Sequence, residues 1–192
     1  LTLPVVYRDP SHIKSVRKRF SKAIDALCDI NLSISDPAVE IAATNFFLAY
    51  QAMPNRKLQE KTARAVSKSC SGLTFIADHC KKLGKPKQKI KLGFISTYFR
   101  YHSIGRLMQG LIAKISKERF EVIVFTQPGQ QDPITQEIHR NADKVLFFPN
   151  DTFKAQRFIA NEKVDILVYS EIGMDVRTYF LAYSRLAPLQ CV

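Results

Sequence analysis

His102 stands between Tyr101 and Ser103 in the stretch STYFRYHSIGRLMQ, residues 96–109, just after the apolar run IKLGFI. An imidazole, with an unperturbed pKa of about 6.5, can take a proton from a hydroxyl or hydrogen-bond a sugar or a phosphate. It can equally be the polar residue that bonds backbone where a strand gives way to a helix. Arg106 adds a cation near the start of the stretch that follows, and the later run EIGMD supplies Glu171, Gly173, Met174 and Asp175. Together these residue types suit proton transfer and the binding of a polar or anionic ligand, provided the fold brings the two stretches to one place.

The remaining chemistry-bearing residues carry less. His12 and His79 adjoin basic helical stretches and read as surface or packing residues, and His139 in QEIHRNAD reads as solvent-facing. Cys28, Cys70, Cys80 and Cys191 form no C-x-x-C pair and no zinc-like spacing, so they read as reduced thiols of a cytoplasmic protein. No serine sits in a nucleophile elbow. The stretch after IKLGFI lacks G-x-G-x-x-G, and no G-x-x-x-x-G-K-[ST] occurs, which argues against an NAD enzyme and a P-loop ATPase.

The elements that must position these residues fall into two regions. In residues 1–84, Ile13, Val16, Phe20, Ile24 and Leu27 recur at helical spacing. Asp36 with Pro37 opens a second predicted helix that runs to Pro54, Asn55 caps a third, and Ser71 opens a fourth that ends at Gly84. The front region is therefore expected to be all helical. GKPKQK, residues 84–89, reads as a connector. In residues 85–192, IKLGFIS, FEVIVFT, KVLFFP, VDILVYS and LQCV alternate with amphipathic stretches. Runs so apolar on both faces, each separated from the next by one helix, imply a parallel sheet covered on both sides. The expected class is α/β, a Rossmann-like doubly wound sheet in the order 3-2-1-4-5. In that order the loops after strands one and four part to open a crevice, so His102 and Glu171 should face each other across it.

Charge bounds the partners. Residues 1–89 hold 16 Lys and Arg against 7 Asp and Glu, whereas residues 90–192 hold 13 against 10. The basicity belongs to the front region, densest at VRKRF, residues 16–20. Aromatic residues are not interleaved with it as a single-strand binder requires, so nucleic acid is disfavoured as a partner. No window reaches the ~18 consecutive apolar residues of a membrane span. The chain begins without Met and stops in the apolar run LAPLQCV, which reads as a piece of a longer protein.

IKLGFISTYFRYHSIGRLMQ, FEVIVFT, VDILVYSEIGMD and RLAPLQCV together resemble the N-terminal catalytic half of the O-linked N-acetylglucosamine transferases, above all bacterial members that follow tetratricopeptide repeats. NFFLAYQAMPNRKLQEK is similar to the helical segment that precedes that half. The resemblance implies a GT-B glycosyltransferase, inverting and without a metal or other cofactor, which moves the sugar of a UDP-sugar such as UDP-N-acetylglucosamine to Ser or Thr hydroxyls of an acceptor protein or peptide. It assigns His102 to the sugar and acceptor side of the cleft as a candidate base, with Tyr101, Ser103, Arg106, Glu171, Gly173, Met174 and Asp175 as substrate-binding candidates. Tyr98 stands where the family often has an acid, and Arg106 where some members carry a second histidine. The donor site would lie mainly in a C-terminal half, so residues 1–192 alone should fold without transferring sugar. Apolar residues near Ile172, Met174 and 188–192 would be uncovered and could pair two copies of the chain.

The competing function is a non-catalytic module whose basic helices hold nucleic acid. Titration of labelled DNA at two salt concentrations separates the two. Binding through several phosphates weakens steeply as salt rises, and no salt-sensitive binding is expected here.

Overall fold

The computed structural model describes residues 3–81, 88–129 and 131–192. The expected boundary at 84/85 and most of the connector lie outside the described residues. Five strands, β1 (Ile90–Ile95), β2 (Phe120–Thr126), β3 (Lys144–Phe147), β4 (Ile166–Tyr169) and β5 (Leu189–Cys191), form one sheet in the order β3-β2-β1-β4-β5. Every pairing is parallel: Phe94 lies beside Val124 on one side and Val168 on the other, and Ile95 beside Phe125 and Tyr169. Successive residues point to opposite faces, which is why both residue sets of the central strands β1 and β2 are apolar over their buried stretches. Leu92, Phe94, Val122 and Val124 pack on one face with Ile112 of helix α4 (Ser103–Lys114) and Ile138 of helix α5 (Pro133–Asn141). Ile95, Ile123, Phe125 and Leu167 pack on the other with Ile159 of helix α6 (Thr152–Asn161) and Leu181 of helix α7 (Val176–Leu181).

The front region is less helical than its pattern predicts. Helix α1 (Pro10–Asp29) forms as expected and buries Val16, Phe20 and Ile24 against helix α3 (Arg56–Ser69). The second helix does not run to Pro54: α2 spans only Pro37–Glu40, Ala42 takes φ 48°, and a separate 3-10 turn covers Phe46–Gln51 before Ala52 at φ 49°. The break frees Thr44 to hydrogen-bond the Gly173 carbonyl and lets Leu48 enter the core between α1 and α3, two tertiary contacts that outweigh helix propensity. The fourth expected helix is also absent among the described residues. In its place are 3-10 turns at Ser71–Thr74 and Asp78–Cys80, with an extended step between them in which Ile76 bridges Arg185. Asn55 precedes α3 without capping it. Its carbonyl instead accepts from Arg17 Nη1 at 2.7 Å and its amide donates to the Leu48 carbonyl at 2.9 Å.

The front region is seated on α6 and α7. Cys70 and Leu73 pack with Phe180, and Ser184 Oγ donates to the Leu73 carbonyl at 2.9 Å. Asp36 fastens the two regions with one carboxylate: Oδ1 caps α2 by accepting from Ala38 N at 3.0 Å, and the same group accepts from Thr152 N at 3.2 Å and Thr152 Oγ1 at 2.6 Å at the start of α6. Asp36→Ala removes both functions and is expected to destabilise the fold by about 2 kcal/mol, a lower urea midpoint with an unchanged m-value.

Candidate functional site

The crevice lies where the chain leaves β1 toward α4 and β4 toward α7. His102 takes extended backbone angles (φ −149°) and is the N-cap of α4, its Nδ1 accepting from Ile104 N at 3.2 Å. That bond needs the Nδ1 lone pair, so the neutral ring carries its proton on Nε2, and the free edge of the imidazole is a donor. The ring is half-buried and stacks on Tyr98 with centroids 4.4 Å apart. Gly105 permits the tight approach of α4 to this loop, because a Cβ there would stand 2.1 Å from the Arg100 carbonyl oxygen.

Glu171 leaves β4 on the opposite lip and is only 4% exposed. Its Oε1 accepts from Thr97 N of the first loop at 3.3 Å and from Thr178 Oγ1 at 3.2 Å, while Oε2 is buried without a partner. Burial pushes the carboxyl up to about 7. Hydrogen bonds from Ser96, Thr97 and Thr178 oppose that rise, and the nearby Asp175 charge adds to it. The same surroundings raise the Tyr98 phenol, through burial first and then the charges of Asp175 and Glu171. Tyr98 thus stacks on the imidazole and is near enough to both acids for their charges to act on its phenol. Among the described residues no hydrogen bond joins His102 to Glu171 directly.

The other sequence-predicted residues divide by position. Asp175 is the N-cap of α7, accepting from Arg177 N at 2.8 Å and Thr178 N at 3.4 Å, and it pairs with the Arg177 guanidinium at 3.2 Å. Gly173 is buried at φ 91°, a left-handed conformation that suits glycine, with its carbonyl held by Thr44 Oγ1. Met174 beside it is half-buried. Tyr101 is 71% exposed, its N–H bonded to Asp132 Oδ2 at 2.5 Å, and the exposed Arg106 guanidinium lies 5.8 Å from its ring centroid. Ser103 is exposed with Oγ 3.5 Å from His102 Nδ1. Tyr98, Ser96, Thr97 and Thr178 complete the site. Residue spacing gave no sign of them except that Ser96 and Thr97 end an apolar strand.

His139 is not solvent-facing. It is half-buried with Nε2 unpartnered, its ring edge-on to Phe147, and burial lowers its pKa. His79 is satisfied by packing, with Nε2 3.1 Å from the Val164 carbonyl. Among the described residues no group of three His, Cys, Asp or Glu comes together as a metal would need. No helix among them is long and apolar enough to cross a membrane.

A parallel sheet in this order, with the loops after β1 and β4 meeting at its switch point, defines the class: a Rossmann-like doubly wound α/β protein. No family model matches the sequence, and no curated protein does. Among solved structures the chain is similar to a mutant of the O-GlcNAc transferase of Thermobaculum terrenum, with a TM-score of 0.60 and 18% identity. The match covers 94% of this chain and 32% of that one, so the chain spans about a third of that structure's length.

Glu171 gives the site a pH signature. A carboxyl whose folded pKa lies near 7, above its ordinary 4.5, binds more protons folded than unfolded between those values, so stability falls as pH rises through that window. The full loss is at most about 3.5 kcal/mol at about 1.4 kcal/mol per pKa unit. Urea denaturation from pH 4.5 to 8 should show that decline, and Glu171→Gln should flatten it.

Proposed function

We propose that this chain forms one lobe of an inverting, metal-independent glycosyltransferase that moves N-acetylglucosamine or a related sugar from a UDP-sugar to Ser or Thr hydroxyls of an acceptor protein. The likeness to the bacterial O-GlcNAc transferase supports a glycosyltransferase fold. The observation that carries the reading further is the capped imidazole beside the loop after β4, with Nδ1 committed to Ile104 N and no hydrogen bond at Nε2 among the described residues.

In an inverting transfer the acceptor hydroxyl bonds to the anomeric carbon as the bond from that carbon to the UDP oxygen breaks, and the hydroxyl proton goes to a base. With Nδ1 committed to Ile104 N, His102 offers Nε2–H and so acts on a sugar or diphosphate oxygen as a donor, stabilising charge that develops on the leaving side. The attacking hydroxyl's proton then ends on the departing UDP phosphate oxygen, which the donor itself supplies. Glu171 shapes the lip from within and Tyr98 backs the imidazole, while exposed Tyr101, Ser103 and Arg106 offer contacts to sugar or acceptor. A second lobe would supply the rest of the donor site, so residues 1–192 alone are proposed to be inactive. Of the apolar residues expected to be uncovered, Ile172 packs on the core and Met174 is half-buried, so pairing of two copies would rest on exposed Leu189 and Val192.

The nucleic-acid reading loses ground at its densest point. Half-buried Arg17 is engaged within the fold, its guanidinium donating to Gln51 Oε1 at 2.6 Å, Asn55 Oδ1 at 2.7 Å and the Pro54 carbonyl at 2.6 Å, which leaves Lys18 and Arg19 as the exposed cations of that stretch.

Transfer from UDP-N-acetylglucosamine, measured on the longest protein that contains this chain, tests the role of His102. His102→Ala should lower transfer about a hundredfold, in keeping with the loss of one well-placed donor. His102→Asn can still cap α4 but lacks the ring, so it should restore the denaturation midpoint and leave transfer depressed. Recovery of transfer by the asparagine variant would reduce His102 to a cap.

A further inference from the structure

A cavity of about 210 Å³ lies in the front region between α1, α3, α7 and residues 41–45. It is a pocket partly open to solvent rather than an enclosed void: Phe20, Ile24, Ala65 and Phe180 are buried at its floor, and Leu32 and Ala43 are exposed at its mouth. Its walls are mainly carbon, from Ile24, Leu27, Ile34 and Phe180 among others.

The polar side chains on the lining are turned to partners inside the protein. Thr62 Oγ1 donates to the Leu58 carbonyl at 2.9 Å, and Ser69 Oγ to the Ala65 carbonyl at 3.0 Å. Asn45 Nδ2 donates to Gln59 Oε1 at 3.4 Å, Tyr179 Oη accepts from Tyr183 Oη at 3.3 Å, and Thr44 Oγ1 serves the Gly173 carbonyl. A water needs about two to four polar partners to settle in a cavity, and these side chains are already engaged. An engineered apolar cavity of about 150 Å³ stays dry and takes benzene, which sets the scale for an occupant here.

The wall that keeps the space open is the segment where the expected helix breaks. Ala42 takes φ 48°, a region that residues with a Cβ seldom occupy, and the chain then passes through Ala43 and Thr44 along the lining. A helix continued from α2 would remove that wall.

We propose that this cavity is a binding site for a small, neutral, apolar molecule of bicyclic-aromatic or short-acyl size. The occupant carries no charge, because no cation or anion on the lining would meet it and burying an unpaired charge is strongly unfavourable. Nothing in this site depends on sugar transfer. It adjoins the candidate site through Thr44, which lines the pocket and holds the Gly173 carbonyl, and through α7, whose Tyr179 and Phe180 line it next to Thr178.

Naphthalene is the probe, followed by methyl NMR of the whole chain. Saturable shifts at Ile24, Leu27 and Ile34, with naphthalene-to-methyl NOEs at the same residues, are expected. The charged analogue 2-naphthoate should bind at least about a hundredfold more weakly. Ala65→Leu, which fills the space from a helix position that accepts leucine at little cost, should raise the naphthalene dissociation constant about tenfold or more and, by filling the pocket, raise the melting temperature. Absence of saturable binding in the unmodified chain overturns the proposal, as do NOEs confined to other residues or equal affinity for naphthoate. Should Ala65→Leu fail to fold, the NOEs and the naphthoate comparison on the unmodified chain decide the matter.

Discussion

Parallel pairing obliges β1 and β4 to end at the same edge of the sheet, but it does not by itself bring the loops that follow them into contact. The Glu171 carboxyl does that. One of its oxygens accepts the Thr97 N–H of the first loop and the Thr178 hydroxyl of the helix after the second, so a single buried group sets the spacing of the crevice lips. Its burial also explains its unusual chemistry. Desolvation lifts the carboxyl into the neutral range, and the lips are held by an acid whose charge depends on ambient pH.

The sheet was legible in the sequence because two-faced burial leaves a plain mark: Leu92 to Ile95 and Val122 to Phe125 are apolar without alternation. Strand order followed from the one-helix spacing. The front region was less legible because its pattern is helical throughout while its backbone is not. Ala42 and Ala52 adopt left-handed angles that nothing local demands, and the reasons lie far along the chain, in Gly173 and in the core between α1 and α3. His139 misled for a related reason. It lies next to buried Ile138 at the margin of the apolar face of α5, and the ring that covers it, Phe147, comes from β3.

The site was half legible. Asp175 and His102 both stand immediately before helices, where a polar side chain with a lone pair is the expected residue, and both prove to be caps. The cap changes what the imidazole can do, and that consequence is visible only once Ile104 N is seen to occupy Nδ1. Tyr98 could not be ranked from spacing alone. Its importance comes from a stacking distance and from two acids whose separation from it in sequence exceeds seventy positions.

Asp36 joins residues 116 positions apart, and it does so with the carboxylate that also starts its own short helix. Closing so long a loop carries an entropy cost that is recovered only when α6 is already in place on the sheet. The contact therefore exists only when both of its ends are in their native places, and the Asp36 carboxylate binds the path of the front segment to the seating of α6.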